Sequence, residues 1–227
     1  MKTNHSIARW AVAMASAFAL VSMPATAALM LSLSDGSNAV QIEADASGNI
    51  NFNQALGSWI LNQGVGKGSQ TLGGAGLNLQ SLHVSSIPTG GSGKLTVMLT
   101  ETDLTGNGGS ALADFMGTIS GSTDGAVNYG MYVDAANQAF GLASLIGMPD
   151  VPKTGGAFSD AFQGMTALGS DPFSMTLQME ITHGDGDRAT SFNFSGLSAA
   201  LAVPEPGTLF LLGLGLVALG LRRHRTH

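Results

Sequence analysis

The stretch SMTLQMEITH, Ser174–His183, decides the fold class. Met175, Leu177, Met179 and Ile181 alternate with Thr176, Gln178, Glu180 and Thr182. A period of two puts one row of side chains on each face of a strand, so the apolar row is buried and the polar row is wet. A helix would scatter the same four apolar residues around its circumference. KLTVMLTE repeats the pattern with Leu95, Val97 and Leu99, and AVNYGMYVD with Val127, Tyr129, Met131 and Val133. AVQIEAD and LMLSLSDG do so with Val40, Ile42 and Ala44, and with Leu29, Leu31 and Leu33. INFN, SWILNQ, LNLQSLHV, GTIS and SFNFSG are shorter candidates.

Gly-rich turns separate these runs: Asp35-Gly36, Ser47-Gly48-Asn49, Pro88–Gly91, Gly106–Gly109, Asp124-Gly125 and Gly184–Asp187. Many short strands with such turns and no alternating helices predict an all-β chain. The expected architecture is a single antiparallel β-sandwich over residues 28–202, with jelly-roll-like and Ig-like topologies both open. Asp134–Ile146 is the one stretch that leans toward helix, and GGAFSDAFQGMTALGSDPF, Gly155–Phe173, reads as a loop. GGAGLNL, from Gly73, begins like a calcium-binding β-roll repeat, but the repeat does not recur.

The 227 residues suffice for one good core. Between Ala28 and Ala202, four basic residues face fourteen acidic ones, a net charge of −10. Such a body repels phosphate backbones, which argues against nucleic acid as a partner. The chain has no cysteine, which removes disulfides, thiol nucleophiles and thiolate metal sites together.

Both ends read as targeting segments. At the start, Lys2 and Arg9 precede a mostly apolar run of 12 residues, Trp10–Val21, and then Ala25-Thr26-Ala27. That is the layout of a secretory signal peptide over residues 1–27, a helix cleaved by signal peptidase between Ala27 and Ala28, with Ala25 the other small residue of the site. At the other end, Thr208–Leu221 is 14 residues without charge, followed by Arg222, Arg223 and Arg225. A helix of that length covers ~21 Å of a ~30 Å hydrocarbon core. Pro206 and Gly207, bilayer thinning or snorkelling arginines can make up the difference, giving an expected transmembrane helix over 207–221. The basic tail 222–227 then acts as a stop-transfer on the cytoplasmic side. Val203-Pro204-Glu205-Pro206 is surplus to a plain anchor. It cannot form a helix interior, so it leaves the bilayer as an extended, exposed peptide.

In order, Pro204-Glu205-Pro206, a Gly/Leu-rich apolar segment and Arg222, Arg223 and Arg225 resemble the PEP-CTERM sorting domain, over residues 203–227. The resemblance implies a Gram-negative source that makes exopolysaccharide or biofilm, and an exosortase that recognises Val203, Pro204, Glu205 and Pro206. It implies export through an inner-membrane-anchored precursor to the cell surface or beyond. The order of motifs in the body is similar to PEP-CTERM precursors with an uncharacterised β-rich body, a likeness that implies no activity.

Catalytic machinery is not legible. Residues 28–202 hold two histidines, His83 and His183, and no G-x-S-x-G or H-E-x-x-H occurs. His183–Arg188, HGDGDR, alternates Asp185 and Asp187 as calcium ligands can, but it lacks the third acid and reads first as a hairpin turn. GVGKGSQ around Lys67 lacks the Ser/Thr of a phosphate loop and reads as a flexible loop. Glu101 and Asp103 read as a solvated strand end. Trp59 reads as core rather than a sugar platform; Tyr129 and Tyr132 could stack on sugars if exposed. The expectation is a non-catalytic structural or binding protein of the cell surface or matrix, without cofactor, with exopolysaccharide as a candidate partner. The alternatives are an extracellular polysaccharide-active enzyme with paired acids, and a calcium-stabilised adhesion module.

Overall fold

The structure is a computed structural model of the chain and describes residues 27–72, 75–87, 93–105, 112–168, 172–186 and 188–199. The signal helix, the sorting motif, the transmembrane helix and the arginine tail lie outside the described residues, apart from Ala27. Among the described residues no helix is long and apolar enough to cross a membrane.

The body is all-β and antiparallel, as the period of two requires. Its strands are β1 (Leu29–Ser34), β2 (Ala39–Glu43), β3 (Asn49–Leu56), β4 (Trp59–Lys67), β5 (Gly76–Ser86), β6 (Gly93–Leu104), β7 (Ala113–Asp134), β8 (Ser144–Gly147), β9 (Lys153–Thr166), β10 (Phe173–His183) and β11 (Arg188–Ala199). One four-residue helix, α1 (Ser69–Leu72), joins β4 to β5.

Hydrogen bonds run along one path, β2-β1-β6-β10-β7-β11-β5-β4-β3, with β8 and β9 on the other side of β7. The 22-residue β7 organises the molecule. Its first half, to Thr123, pairs with β11, and its second half, from Ala126, pairs with β10. Two wings therefore diverge from β7. One is β10-β6-β1-β2; the other is β11-β5-β4-β3. They face each other: Leu99 of β6 lies under Gly66 of β4, and Leu177 of β10 lies against Gly196 of β11. Their inward rows form one core of leucine, valine, methionine and phenylalanine. Each large apolar side chain so buried contributes roughly 1.5–3 kcal/mol. The expected sandwich is met in outline, but its two layers belong to one continuous sheet.

Several local expectations are corrected. Asp124-Gly125 is not a hairpin turn; it lies inside β7, where the partner changes from β11 to β10. Gly125 is required there because a Cβ would collide with the Thr182 carbonyl oxygen. Gly155–Phe173 is not a loop, since most of it is β9, paired along β7 from Ala113 to Val127. Its alternation is real but diluted by Gly, Ala and Ser: Phe158 and Phe162 turn toward the core while Ala157, Ser159 and Ala161 face out. The ring of Phe162 lies over Gly117 and Gly147, where any Cβ would displace it. Asp134–Ile146 is not helical. Asn137 and Phe140 take positive φ, and the segment turns into β8. Gly64–Lys67 is strand, not flexible loop, because Gly64 and Gly66 accommodate Phe52 and Leu99 beneath the sheet.

Candidate binding face and sorting motif

The β9-β7-β11-β5-β4 side of the sheet has an outer face of unusual chemistry. Parity fixes it. Phe192, Phe194 and Gly196 of β11 point inward, so Ser191, Asn193 and Ser195 point out. The register sets Asn193 beside Ser120, Ser195 beside Thr118 and Asn78, and Ser191 beside Ser122 and His83. On β9, Ser159 lies next to Ser120 and Ala161 next to Thr118. Amides and hydroxyls thus tile four strands, while Asp114 and Asp124 stand at the two ends of the β7 row.

A bulge shapes this face. Ser81 takes φ 53° and adds one residue to β5 opposite Asn193. The Asn193 Oδ1 accepts the freed Ser81 N–H at 2.8 Å. A groove of about 550 Å³ follows, lined by Asn78, Thr118, Ser120, Ser159, Asn193 and Ser195, with Ile119, Ala161 and Asp160, whose carboxylate is turned to Tyr129 and Lys153, completing its wall. The Asn78 Oδ1 is buried in it and receives no donor from the described residues. A buried acceptor left open is uncommon and costs stability unless water or a ligand serves it.

The candidates read from the sequence lie elsewhere. Trp59 is 1% exposed and is core, as expected. Tyr129 is also core: its O–H donates to Asp160 Oδ2 at 2.6 Å, and Lys153 Nζ approaches the same oxygen at 3.0 Å. Burial, then the Asp160 carboxylate, pushes the Tyr129 hydroxyl up, and the hydrogen bonds from Tyr129 and Lys153 hold Asp160 low. Tyr132 is half-buried, its hydroxyl raised first by burial and then by Glu180. His83 is exposed on the outer face, whereas His183 is fully buried. The HGDGDR segment is the expected turn between β10 and β11, with Asp185 exposed and Asp187 outside the described residues. Among the described residues no three His, Asp or Glu side chains cluster as metal ligands.

Glu101 is the clearest correction. It is not solvated but 1% exposed, at the floor of a groove it shares with Glu43 and Asp45. Both its oxygens are taken by Ser69, whose N–H and hydroxyl donate at 2.8 and 2.6 Å. Burial raises its carboxyl, and the Ser69 hydrogen bonds oppose that rise. Asp45 is likewise committed, accepting Ser47 and Asn49 N–H in its own turn. Glu101 therefore ties α1 to β6. Its neighbour Asp103 forms a reciprocal pair with Asn137, 2.8 Å in both directions.

Beyond the body, residues 202–225 match the PEP-CTERM protein-sorting motif. The chain carries a PEP-CTERM signal. It implies recognition by an exosortase and a membrane-anchored precursor sorted to the cell surface. The PEP-CTERM match begins three residues after the end of β11, so the signal is appended directly to the folded body. No curated protein matches the chain. Among solved structures it is similar to TmCBM61 in complex with beta-1,4-galactotriose, at 11% identity and TM-score 0.33, over 52% of this chain and 71% of that one. A likeness of that size carries no argument about what this chain binds.

The groove residues were not singled out from sequence. Their signal was present in SFNFSG, LNLQS and GTIS, where each wet position is a small amide or hydroxyl residue. Nothing in one strand shows that three such rows lie side by side.

Proposed function

We propose that this is an exported surface or matrix protein, processed at its C-terminus by an exosortase, whose single sandwich body binds and does not catalyse. The observation that carries the reading is the PEP-CTERM match at residues 202–225, set against a body bounded by Leu29 and Ala199. On this reading the signal peptide ends at Ala27, two residues before β1, and cleavage there leaves no strand cut. The tail 207–221 spans the membrane, and Arg222, Arg223 and Arg225 stay on the cytoplasmic side. In its native host the chain is shortened from the C-terminus when the exosortase is present, and Pro204→Ala with Pro206→Ala blocks the shortening. Mass measurement of the C-terminal peptide checks this. Retention of 203–227 in the presence of the exosortase overturns it.

The ligand class follows from the outer face. On a body of net charge −10, a neutral tiling of amides and hydroxyls favours a neutral polyhydroxylated polymer over an ionic one. Asn78 offers the open acceptor, and a sugar hydroxyl can donate to it. The two histidines support binding over catalysis, since His183 is sealed in the core and His83 stands among Asn62 and Ser191. Asn78→Ala and Thr118→Ala are expected to weaken retention on neutral polysaccharide several-fold in affinity electrophoresis, with melting unchanged. Unaltered retention of both variants removes the groove as the binding site.

A further inference from the structure

One end of the outer face changes character. Beyond the row Asn78–Ser195–Thr118, the next residues outward are Gly76 on β5, Leu197 on β11 and Met116 on β7. Leu197 and Met116 are direct partners, and both are exposed. Met165 on β9 pairs with Asp114, one step along the same face, and is 64% exposed. On the other flank Leu72 of α1 reaches over Gly76, where its Cδ1 and that of Leu197 Cδ2 both crowd the position of a Cβ. Leu72, Leu197 and Met116 therefore form an apolar stripe across α1 and two strands, and Met165 stands diagonally beyond it, past the Asp114–Gln163 pair.

Both ends of the body emerge beside this stripe. Leu197 is two residues from the end of β11, and the adjacent Ser198 N–H donates to the Ala75 carbonyl at 2.9 Å. Ala75 lines a groove with Ala27 and Gln70. The junction with the leader and the exit toward the PEP-CTERM signal thus share one end of the fold, marked by α1. Pro204 is five residues beyond Ala199, at most about 18 Å of extended chain.

From this geometry we infer that the α1 end of the body docks on the outer surface of the bilayer, with Leu72, Met116, Met165 and Leu197 seated among neutral lipid headgroups. The inference rests on the reading that 207–221 spans the membrane. The tether supplies a high effective concentration, so a stripe too small to bind membranes by itself suffices. Asp114 flanks the stripe and is held by Gln163 Nε2 at 2.6 Å, which disfavours anionic headgroups. Docking would hold Pro204-Glu205-Pro206 at the interface, where a membrane-embedded enzyme meets it.

The chain has no cysteine, so single nitroxide labels can be placed cleanly. Met116→Cys, Met165→Cys and Leu197→Cys report the stripe in full chain reconstituted in phosphatidylcholine vesicles. Ser37→Cys, in the turn between β1 and β2 at the opposite end, is the control, and Leu214→Cys reports the anchor. Expected is a several-fold loss of collision with a water-soluble nickel complex at the three stripe positions relative to Ser37, together with line broadening by spin-labelled lipid. If Leu214 lies in lipid while the stripe is as water-accessible as Ser37, docking is overturned and the anchor stands. If Leu214 itself is in water, both fall. Shielding without lipid contact assigns the stripe to the chain's own tail, and shielding lost on dilution assigns it to a second copy; either overturns lipid docking.

Discussion

Trp59→Ala is expected to lower the unfolding free energy of the body by about 3–5 kcal/mol, the cost of removing a fully buried aromatic. Trp59 opens β4 at the end of the core opposite α1. Its ring lies 4.8 Å from that of His183 on β10, and Gly93 of β6 lies against the Nε1–Cζ2 edge of the indole. One side chain therefore spans both wings. Its loss leaves a cavity at the seam, and neither wing can close it without breaking strand pairs. Urea unfolding with an unchanged slope checks the value, and a loss below about 1 kcal/mol would show that the seam repacks freely.

His183→Leu is the second large effect, and its reason is a hydrogen-bond relay. Gly125 N–H donates to Thr123 Oγ1 at 3.0 Å, and Thr123 Oγ1 lies 2.7 Å from Thr190 Oγ1. Thr190 Oγ1 is 2.8 Å from His183 Nε2, and His183 Nδ1 is 3.2 Å from Ser86 Oγ, which donates to the Gly186 carbonyl at 3.3 Å. Ser86 spends its proton on Gly186, so it accepts from Nδ1–H. Nε2 is then bare and accepts from Thr190, which in turn accepts from Thr123. Every group is satisfied only with a neutral imidazole carrying its proton on Nδ1. Leucine fills the volume but leaves the buried Thr190 O–H without its acceptor, at about 1–3 kcal/mol, while Ser86 keeps its bond to Gly186.

The relay fixes a pH dependence. Burial lowers the His183 pKa, the Asp124 charge opposing it and Arg188 reinforcing it. A depressed folded pKa means that the unfolded chain binds the proton first as pH falls. The stabilisation is present above the ordinary imidazole value near ~6.5 and is lost as pH falls from there through the lowered one. Glu101 acts in the opposite sense: its raised carboxyl favours the fold in acid and loses that contribution as pH rises through the folded value. Thermal melts of wild type and His183→Leu between neutral pH and mild acid separate the two. The difference between them should shrink as pH falls, and a constant difference would refute the relay.

The polar turn HGDGDR was legible as a turn, yet its histidine was not legible as core. A strand pattern assigns His183 to the apolar row of Met175, Leu177, Met179 and Ile181, but only partners from β5 and β11 make an imidazole tolerable there. Glu101 was misplaced for a related reason. It follows two residues after Leu99 on the inward row, and its burial depends on Ser69 arriving 32 residues away in sequence. β9 was missed because small residues carry little hydrophobic signal; its position comes from the long partner β7 rather than from its own sequence.

By itself the sequence determined most of the strands with one wet face, that the body is acidic and free of thiol chemistry, and that a PEP-CTERM signal follows it. Those are local or compositional properties, set by a period of two, by charge and by a short linear motif. The tertiary structure alone decided that β7 hands over from one wing to the other at Gly125, that polar residues of four strands tile one face, and that Ala27 and the end of β11 lie at one end of the fold. These depend on register and strand order, which arise from pairings across many tens of residues and leave no trace in any one segment.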